Sequence, residues 1–283
     1  MQRTCSRLSA VRRLAEQLVG GLRLELDLTP KPGLVDRWNN GSHSDLNYPL
    51  MVHSIDMLGG YFSDFAAGLE AGLTTEPLRR VAMEAEARML AQFGTNTHRG
   101  AIFLGGLLLA GVYWADEFNE NAVSRSMAAF ALELFAGRLP TGTIGAGVRA
   151  QYGVGGIVCE ALDGLPCVFQ VGLPALREAR QLDLERDRAL YLLMARLMQT
   201  VEDTTALRRC GPAGLAQLRR DGVRLEELVL AERDPIPFLI TANDDYRRQR
   251  LTMGGVADLM GMCAAWSSFA GPWDAQPGHA DAQ

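Results

Sequence analysis

Apolar positions recur along most of the chain with the period of an α-helix rather than the alternation of a strand. Leu8, Val11, Ala15, Leu18 and Leu22 fall on one face of a segment over 6–26, and Leu78, Val81, Ala82, Ala85, Met89 and Phe93 repeat the pattern. Leu190, Leu193, Met194, Leu197, Met198 and Val201 form a third such stripe. Further helices are predicted over 49–71, 98–115, 121–137, 144–162, 174–182, 212–220, 224–232 and 253–270. Pro and Gly punctuate these segments: TPKPG at 29–33, LPTGT at 139–143, GLP at 164–166 and 172–174, and DPIP at 234–237. None is long enough to link two domains, no stretch alternates long enough to define a strand, and no repeat has a fixed period. The pattern predicts an all-α, single compact multi-helix domain over 1–283, with polar active-site loops and a tail at 274–283 that frays.

The most apolar stretch, AIFLGGLLLAGVYWA at 101–115, falls short of the roughly 20 residues a membrane-spanning helix needs, so it predicts a buried helix and no membrane association. The arginine-containing N-terminus passes straight into an amphipathic pattern without the apolar core of a secretory signal, which points to the cytoplasm. The hydrophobic share of 48% and charged share of 22% are those of a globular enzyme-sized chain. A net charge of -5 argues against a nucleic-acid partner, which needs clustered Lys and Arg. Lys31 is the only lysine; every other fixed cation is an arginine. The 5 cysteines are widely spaced with no C-x-x-C pair, so reduced thiols are expected rather than structural zinc.

Five polar blocks interrupt the helices. TPKPGLVDRWNNGSHSDLN, residues 29–47, gathers Lys31, Asp36, Arg37, Asn40, His43 and Asp45 in one loop: cations suited to phosphate, and carboxylates suited to Mg²⁺ or a proton. A solvated loop with Asx-turns fits the same residues. Glu86 precedes Asn96, Thr97, His98, Arg99 and Gly100, where a helix N-terminus beside His98 and Arg99 suits an anion; a plain interhelical turn is the alternative. TGTIGAGVRAQYGVGG at 141–156 mimics a dinucleotide fingerprint, but no strand precedes it, so the Rossmann reading is rejected; Glu160 follows on a small apolar face. In VEDTTALRRCG, Glu202 and Asp203 are placed at the C-terminus of an apolar helix, which is electrostatically unfavourable and invites a metal or a salt bridge to Arg209. MGGVADLM at 253–260 puts Gly254 and Gly255 at a helix start with Asp258 in its first turn. On spacing alone these describe an all-α protein with polar loops suited to phosphate and Mg²⁺.

Taken in order, TPKPGLVDRWNNGSHSDLN, GTNTHRGAIF, YGVGGIVCEALDGLP, EDTTALRRCG and GGVADLM resemble the motif series of the triphosphoribosyl-dephospho-CoA synthases over about residues 25–265. The sequence departs from that series at Thr205 (Asn expected), Cys210 (Gly expected) and Thr252-Met253 (Ser-Pro expected). The resemblance implies a transferase that couples ATP to 3′-dephospho-CoA with release of adenine, giving 2′-(5″-triphosphoribosyl)-3′-dephospho-CoA. It implies inversion at the ribose by direct displacement, stabilisation of an oxocarbenium-like ribose and paired acid–base groups.

Under it, Asp36, His98, Glu160 and Asp203 are catalytic candidates. Lys31, Arg37, Asn40, His43, Asn96, Thr97, Arg99, Gly100, Arg209, Gly254, Gly255 and Asp258 are substrate-binding candidates, and Asp36, Asp45, Glu86 and Asp203 are candidate Mg²⁺ ligands. Its downstream partners would be an acyl-carrier protein and its holo-transferase, with malonate decarboxylase favoured over citrate lyase because the chain is separate and carries no fused transferase domain. Exposed apolar helix faces would favour a homodimer. Two alternatives are a Mg²⁺-dependent hydrolase of ADP-ribose-like N-glycosides and a nucleotide- or CoA-binding module without chemistry.

Overall fold

Helix α1 (Gln2–Asp27) turns the first apolar stripe inward, burying Val11, Leu14, Leu18, Leu22 and Leu26. Each such side chain contributes about 1.5–3 kcal/mol of transfer free energy. The computed structural model describes residues 2–95, 97–136 and 142–271, and those residues contain no strand. Along its length α1 packs on α12 (Gly254–Ala270) and on α2 (Tyr48–Glu70). The α1–α12 crossing is close because both helices present glycine: a Cβ on Gly21 would overlap the Gly261 carbonyl, and one on Gly261 would come within 2.8 Å of Leu22 Cδ2.

The remaining helices complete the layer: α3 (Thr75–Phe93), α4 (Arg99–Trp114), α5 (Glu120–Phe135), α6 (Ile144–Tyr152), α7 (Gly156–Leu162), α8 (Leu173–Gln181), α9 (Arg186–Thr200), α10 (Thr204–Leu230) and α11 (Ile236–Gln249). A π-helical turn, Cys167–Gly172, joins α7 to α8. Helix α4 is apolar almost all round and is buried against α1, α2, α5 and α12, as a central helix must be. Among the described residues no single helix is long and apolar enough to cross a membrane.

Several boundaries differ from the sequence expectation. The segment 144–162 is two helices, because Gly153 closes α6 in a left-handed conformation (φ 66°) before α7 starts at Gly156. Conversely, 212–220 and 224–232 run together as one helix to Leu230, the longer part of α10, which a non-helical Gly211 (φ 62°, ψ -164°) separates from a short first part starting at Thr204. Gly222 is no break: a Cβ there would sit 2.7 Å from the Ala195 carbonyl of α9, so glycine permits the α9–α10 contact. Helix α11, which follows the DPIP punctuator and is not among the expected helices, buries Leu239, Ala242, Asn243 and Tyr246 at helical spacing. The Asn96 assignment, most of LPTGT and the 274–283 tail lie outside the described residues.

Candidate active site

Three helix N-termini are tied together by two aspartates. Asp203 caps α10, its Oδ1 accepting from Thr205 N at 2.8 Å and Ala206 N at 3.0 Å, while its Oδ2 accepts from Val256 N of α12 at 3.1 Å. From the first turns of α12, Asp258 in turn accepts the backbone N–H of Ala101 at the start of α4. Asp203 thus complements the positive end of a helix, and both side chains satisfy amides that would otherwise lack partners.

Gly100 makes the second junction feasible, since any side chain there would overlap the Asp258 carboxylate. Glu202, next to Asp203, accepts from Gly155 N at 2.8 Å and Gly156 N at 3.3 Å, binding the glycine-rich block to the same corner. Neither acid ends α9, which stops at Thr200, and neither pairs with Arg209; the expected unfavourable placement dissolves because both residues serve helix starts.

Beside this junction opens a cavity of about 510 Å³. Of the predicted residues it brings together His43, Asp45, Thr97, His98, Arg99, Gly100, Arg209, Gly254 and Asp258. Sequence reasoning missed Glu25, Thr95, Thr205, Arg208 and Thr252, which also line it. Glu25 carried a signal: it follows Leu22 on the inward face of α1, where a carboxylate has no place unless it is paired. Its partner is Lys31, fully buried, whose ammonium donates to Glu25 Oε1 at 2.6 Å and to the Glu25 carbonyl. Lys31 therefore stands behind the cavity, holding Glu25, and is not in its lining.

The electrostatics differ sharply from group to group. Burial, reinforced by the nearby charges of Glu25 and Asp203, pushes the Asp258 carboxyl up to about 8, so it carries its proton at neutral pH. Burial also raises Glu25, against the opposing pull of Lys31. Asp45 moves the other way, held down by the hydrogen bond from Thr95 Oγ1 at 2.7 Å. Both histidines are neutral. Burial and then the charge of Lys31 push His98 down to about 3, while burial and Arg209 push His43 down to about 4 against Asp45.

His98 shares a 2.8 Å hydrogen bond between Nδ1 and Ser54 Oγ, and its buried Nε2 has no partner. His43 lies with Nδ1 3.5 Å from Arg209 Nη2 and Nε2 3.0 Å from Thr252 Oγ1. With Arg209 as the donor at Nδ1, His43 carries its proton on Nε2 and donates to Thr252.

Other predicted residues hold the loop rather than face the cavity. Buried Asp36 accepts from the backbone N–H of Lys31, Trp38 and Asn39 at 2.8–3.0 Å, acting as the hub of the 29–47 loop. Arg37 pairs with Asp27 at 2.9 Å and lies over the Tyr48 ring, and Asn40 is exposed, its carbonyl accepting from His43 N. Asn243 of α11 fastens this loop, its Oδ1 accepting from Gly33 N at 3.0 Å. Glu86 pairs with Arg99 at 3.1 Å and so orients the arginine that faces the cavity. Glu160 is separate: on α7, outside the lining, it accepts from Cys167 N at 2.6 Å and starts the π-helical turn. Gly255 stands outside the lining with its Cα facing Asp203, where a Cβ would be 3.1 Å from Oδ2.

The four carboxylates named as Mg²⁺ ligands do not converge. Asp36 and Asp203 are occupied by backbone amides, Glu86 by Arg99 and Asp45 by Thr95. Among the described residues no group of three or more His, Cys, Asp or Glu side chains gathers to hold a metal ion. Among the described residues these four carboxylates therefore do not form an all-protein Mg²⁺ cage.

A family model described as ATP:dephospho-CoA triphosphoribosyl transferase matches residues 11–275. The chain belongs to this family. It is 34% identical over 269 residues to a Pseudomonas putida protein named probable 2-(5″-triphosphoribosyl)-3′-dephosphocoenzyme-A synthase, covering 91% of this chain and 95% of that one. A Pectobacterium atrosepticum 2-(5″-triphosphoribosyl)-3′-dephosphocoenzyme-A synthase is 32% identical over 262 residues, covering 87% and 86%. A Pseudomonas fluorescens protein with the same name, marked probable, is 40% identical over 225 residues, covering 76% of each chain. No solved structure matches.

As a member of the triphosphoribosyl transferase family, the chain is a transferase, and its three sequence departures find local explanations. Thr205 Oγ1 accepts from Gly254 N at 2.9 Å and donates to Asp203, so a hydroxyl bridges α10 to α12. The Cys210 thiol donates to the Gln249 carbonyl at 3.3 Å, and Met253 is fully buried in the core behind Thr252.

Proposed function

We propose that the chain joins the triphosphoribosyl group of ATP to the 2′-hydroxyl of 3′-dephospho-CoA, releasing adenine. The observation that carries this reading is Asp258, a carboxyl group that keeps its proton near neutrality on the wall of a cavity whose opposite charge comes from Arg99, Arg208 and Arg209. In the reaction the bond from C1′ of the ribose to adenine N9 breaks and the bond from C1′ to the acceptor 2′-oxygen forms. Adenine leaves with the bonding electrons and needs a proton; the 2′-hydroxyl must lose one.

Asp258 supplies the first proton, as a carboxylic acid held neutral by its surroundings. Glu25, with its basicity raised by burial and its position fixed by Lys31, receives the second. Their negative charge also stabilises the cationic ribose between bond breaking and bond making, and attack opposite the departing base inverts C1′. Neutral His98 offers Nε2 as a hydrogen-bonding group for substrate. Mg²⁺ enters this reading only as the counter-ion of the triphosphate, and no step is routed through it.

Purified protein incubated with ATP, Mg²⁺ and 3′-dephospho-CoA, with products followed by chromatography and mass spectrometry, tests the proposal. Coupled nucleotide with stoichiometric adenine supports it. Adenine with free ribose triphosphate would make the protein a hydrolase, and intact ATP would end the reading. The product would serve as a prosthetic-group precursor, taken by a holo-transferase onto an acyl-carrier protein. Offering it the apo-carriers of malonate decarboxylase and of citrate lyase selects between those recipients.

A further inference from the structure

A second, more open cleft of about 1120 Å³ adjoins the cavity, and Arg209 and His43 line both. Its walls are the 41–44 loop and the end of α11, which contribute Arg247, Arg248 and Arg250. Arg209 is fixed at the partition, donating from Nη1 to the Ser42 carbonyl at 2.7 Å and the Arg250 carbonyl at 3.3 Å. Its Nη2 lies 3.5 Å from His43 Nδ1, and like charges crowd around it. Burial, with Arg208 and Arg250 adding to it and Asp45 opposing, lowers the Arg209 pKa.

The acids nearby do not balance this cluster. Asp244 lies 3.9 Å from Arg247, and Asp245 pairs with Arg248. Arg208 and Arg250 have side chains in no hydrogen bond or ion pair among the described residues. Arg250 in the cleft and Arg208 in the adjoining cavity thus flank Arg209 without acidic partners, and like charges so placed repel one another unless an anion joins them. Ser42 Oγ, in the lining of the same cleft, is buried with no hydrogen-bond partner. Guanidinium groups bind phosphate oxygens in pairs of hydrogen bonds, and a hydroxyl adds a single donor.

We propose that this cleft is the seat of a substrate's linear polyphosphate chain, with Arg209 at its inner end and Arg247 and Arg250 along its length. The inference rests on the reading of the cavity as the place where the ribose reacts, and it divides the work. Phosphates stay in the open, arginine-lined cleft, and the ribose crosses Arg209 into the compartment of Asp258 and Glu25. Polyphosphate charge is thereby kept away from the carboxylates that must act near the anomeric carbon. The triphosphate of ATP and the pyrophosphate of 3′-dephospho-CoA share this chemistry.

The test compares the full chain with Arg250→Gln, with Arg247→Gln/Arg250→Gln and with Arg80→Gln, a control on α3 that lines neither pocket. Inorganic tripolyphosphate binding is read by calorimetry, and KM is measured for ATP and 3′-dephospho-CoA separately. The double variant should bind tripolyphosphate about tenfold or more weakly, the loss expected from removing charged hydrogen bonds, and should raise one KM by a similar factor. A rise for ATP assigns the cleft to the triphosphate; a rise for 3′-dephospho-CoA assigns it to the pyrophosphate. Unchanged tripolyphosphate affinity in the folded double variant overturns the proposal, as does an equal loss in Arg80→Gln. If the unaltered protein releases no adenine, the proposed reaction fails by itself, and the calorimetric arm still decides the cleft.

Discussion

Gly100 and Asp258 stand so close that a Cβ on residue 100 would overlap the Asp258 carboxylate. The contact lets a carboxyl from α12 reach the first amides of α4, and the absence of a side chain at 100 is the condition for it. Gly100→Ala must displace Asp258 or the start of α4. Overpacking of this kind costs about 1–3 kcal/mol. Misplacing a proton donor lowers the rate by roughly 10²-fold or more. Thermal melts and single-turnover adenine release should show both losses, and an unimpaired rate would mean that Asp258 need not sit where it does.

Asp258→Asn separates chemistry from stability. The folded pKa of about 8 lies above the ordinary 3.8, so between those values the folded protein holds a proton that the unfolded chain releases. The carboxyl's contribution to stability is complete below about 3.8 and declines as pH rises to about 8. Around it stand the charged groups Glu25 on α1 and Asp203 at the start of α10, with the Ala101 amide of α4 opposing them as a donor. The asparagine variant carries no such penalty. It should therefore gain stability relative to the unaltered protein as pH goes from 5 to 8, while adenine release falls by about 10²–10⁴. Denaturant titrations across that range check the first point, and adenine release that stays at the unaltered protein's rate in the variant would refute the second.

The two helices most clearly stamped in the pattern, α1 and α4, were legible because their apolar faces are continuous. Helix α11 was not, since Asn243 interrupts the stripe of Leu239, Ala242 and Tyr246; that asparagine faces inward to hold Gly33 and Asn39 of the polar loop. Residue type marked the site's neighbourhood well: the loop at 29–47, the His98 turn and the α12 start do meet. It could not tell polar groups that line the cavity from those that satisfy backbone. Asp36 and Asp203 are of the second kind, and the inward-facing Glu25 is of the first.

Removing the Asp203 carboxylate exposes that distinction. An N-cap aspartate replaced by alanine costs about 0.5–2 kcal/mol. The Val256 amide loses its acceptor as well, and leaving a buried donor unsatisfied adds about 1–3 kcal/mol. Asp203→Ala should thus unfold at clearly lower denaturant, and Asp203→Asn, which keeps an acceptor oxygen, should recover part of the loss. If Asp203→Ala instead kept full stability and lost turnover, the residue would be acting on substrate and not on the helices.

Lys31 offers the sharpest contrast between a binding and a positioning role. Its ammonium is wholly buried against Glu25, so Lys31→Met leaves a carboxylate in the interior without its counter-charge. Breaking a buried pair on one side typically costs about 3–5 kcal/mol, whereas replacing both partners is often close to neutral. The single variant should be strongly destabilised, and Lys31→Met/Glu25→Gln should regain most of that stability without regaining activity, because the base is gone. Losing its cation also raises Glu25 further, so the single variant's deficit should shrink as pH falls and the carboxyl takes up a proton. Denaturation of the two variants at pH 5 and pH 8 measures this. A stable single variant with a raised KM for ATP alone would instead place Lys31 on the triphosphate.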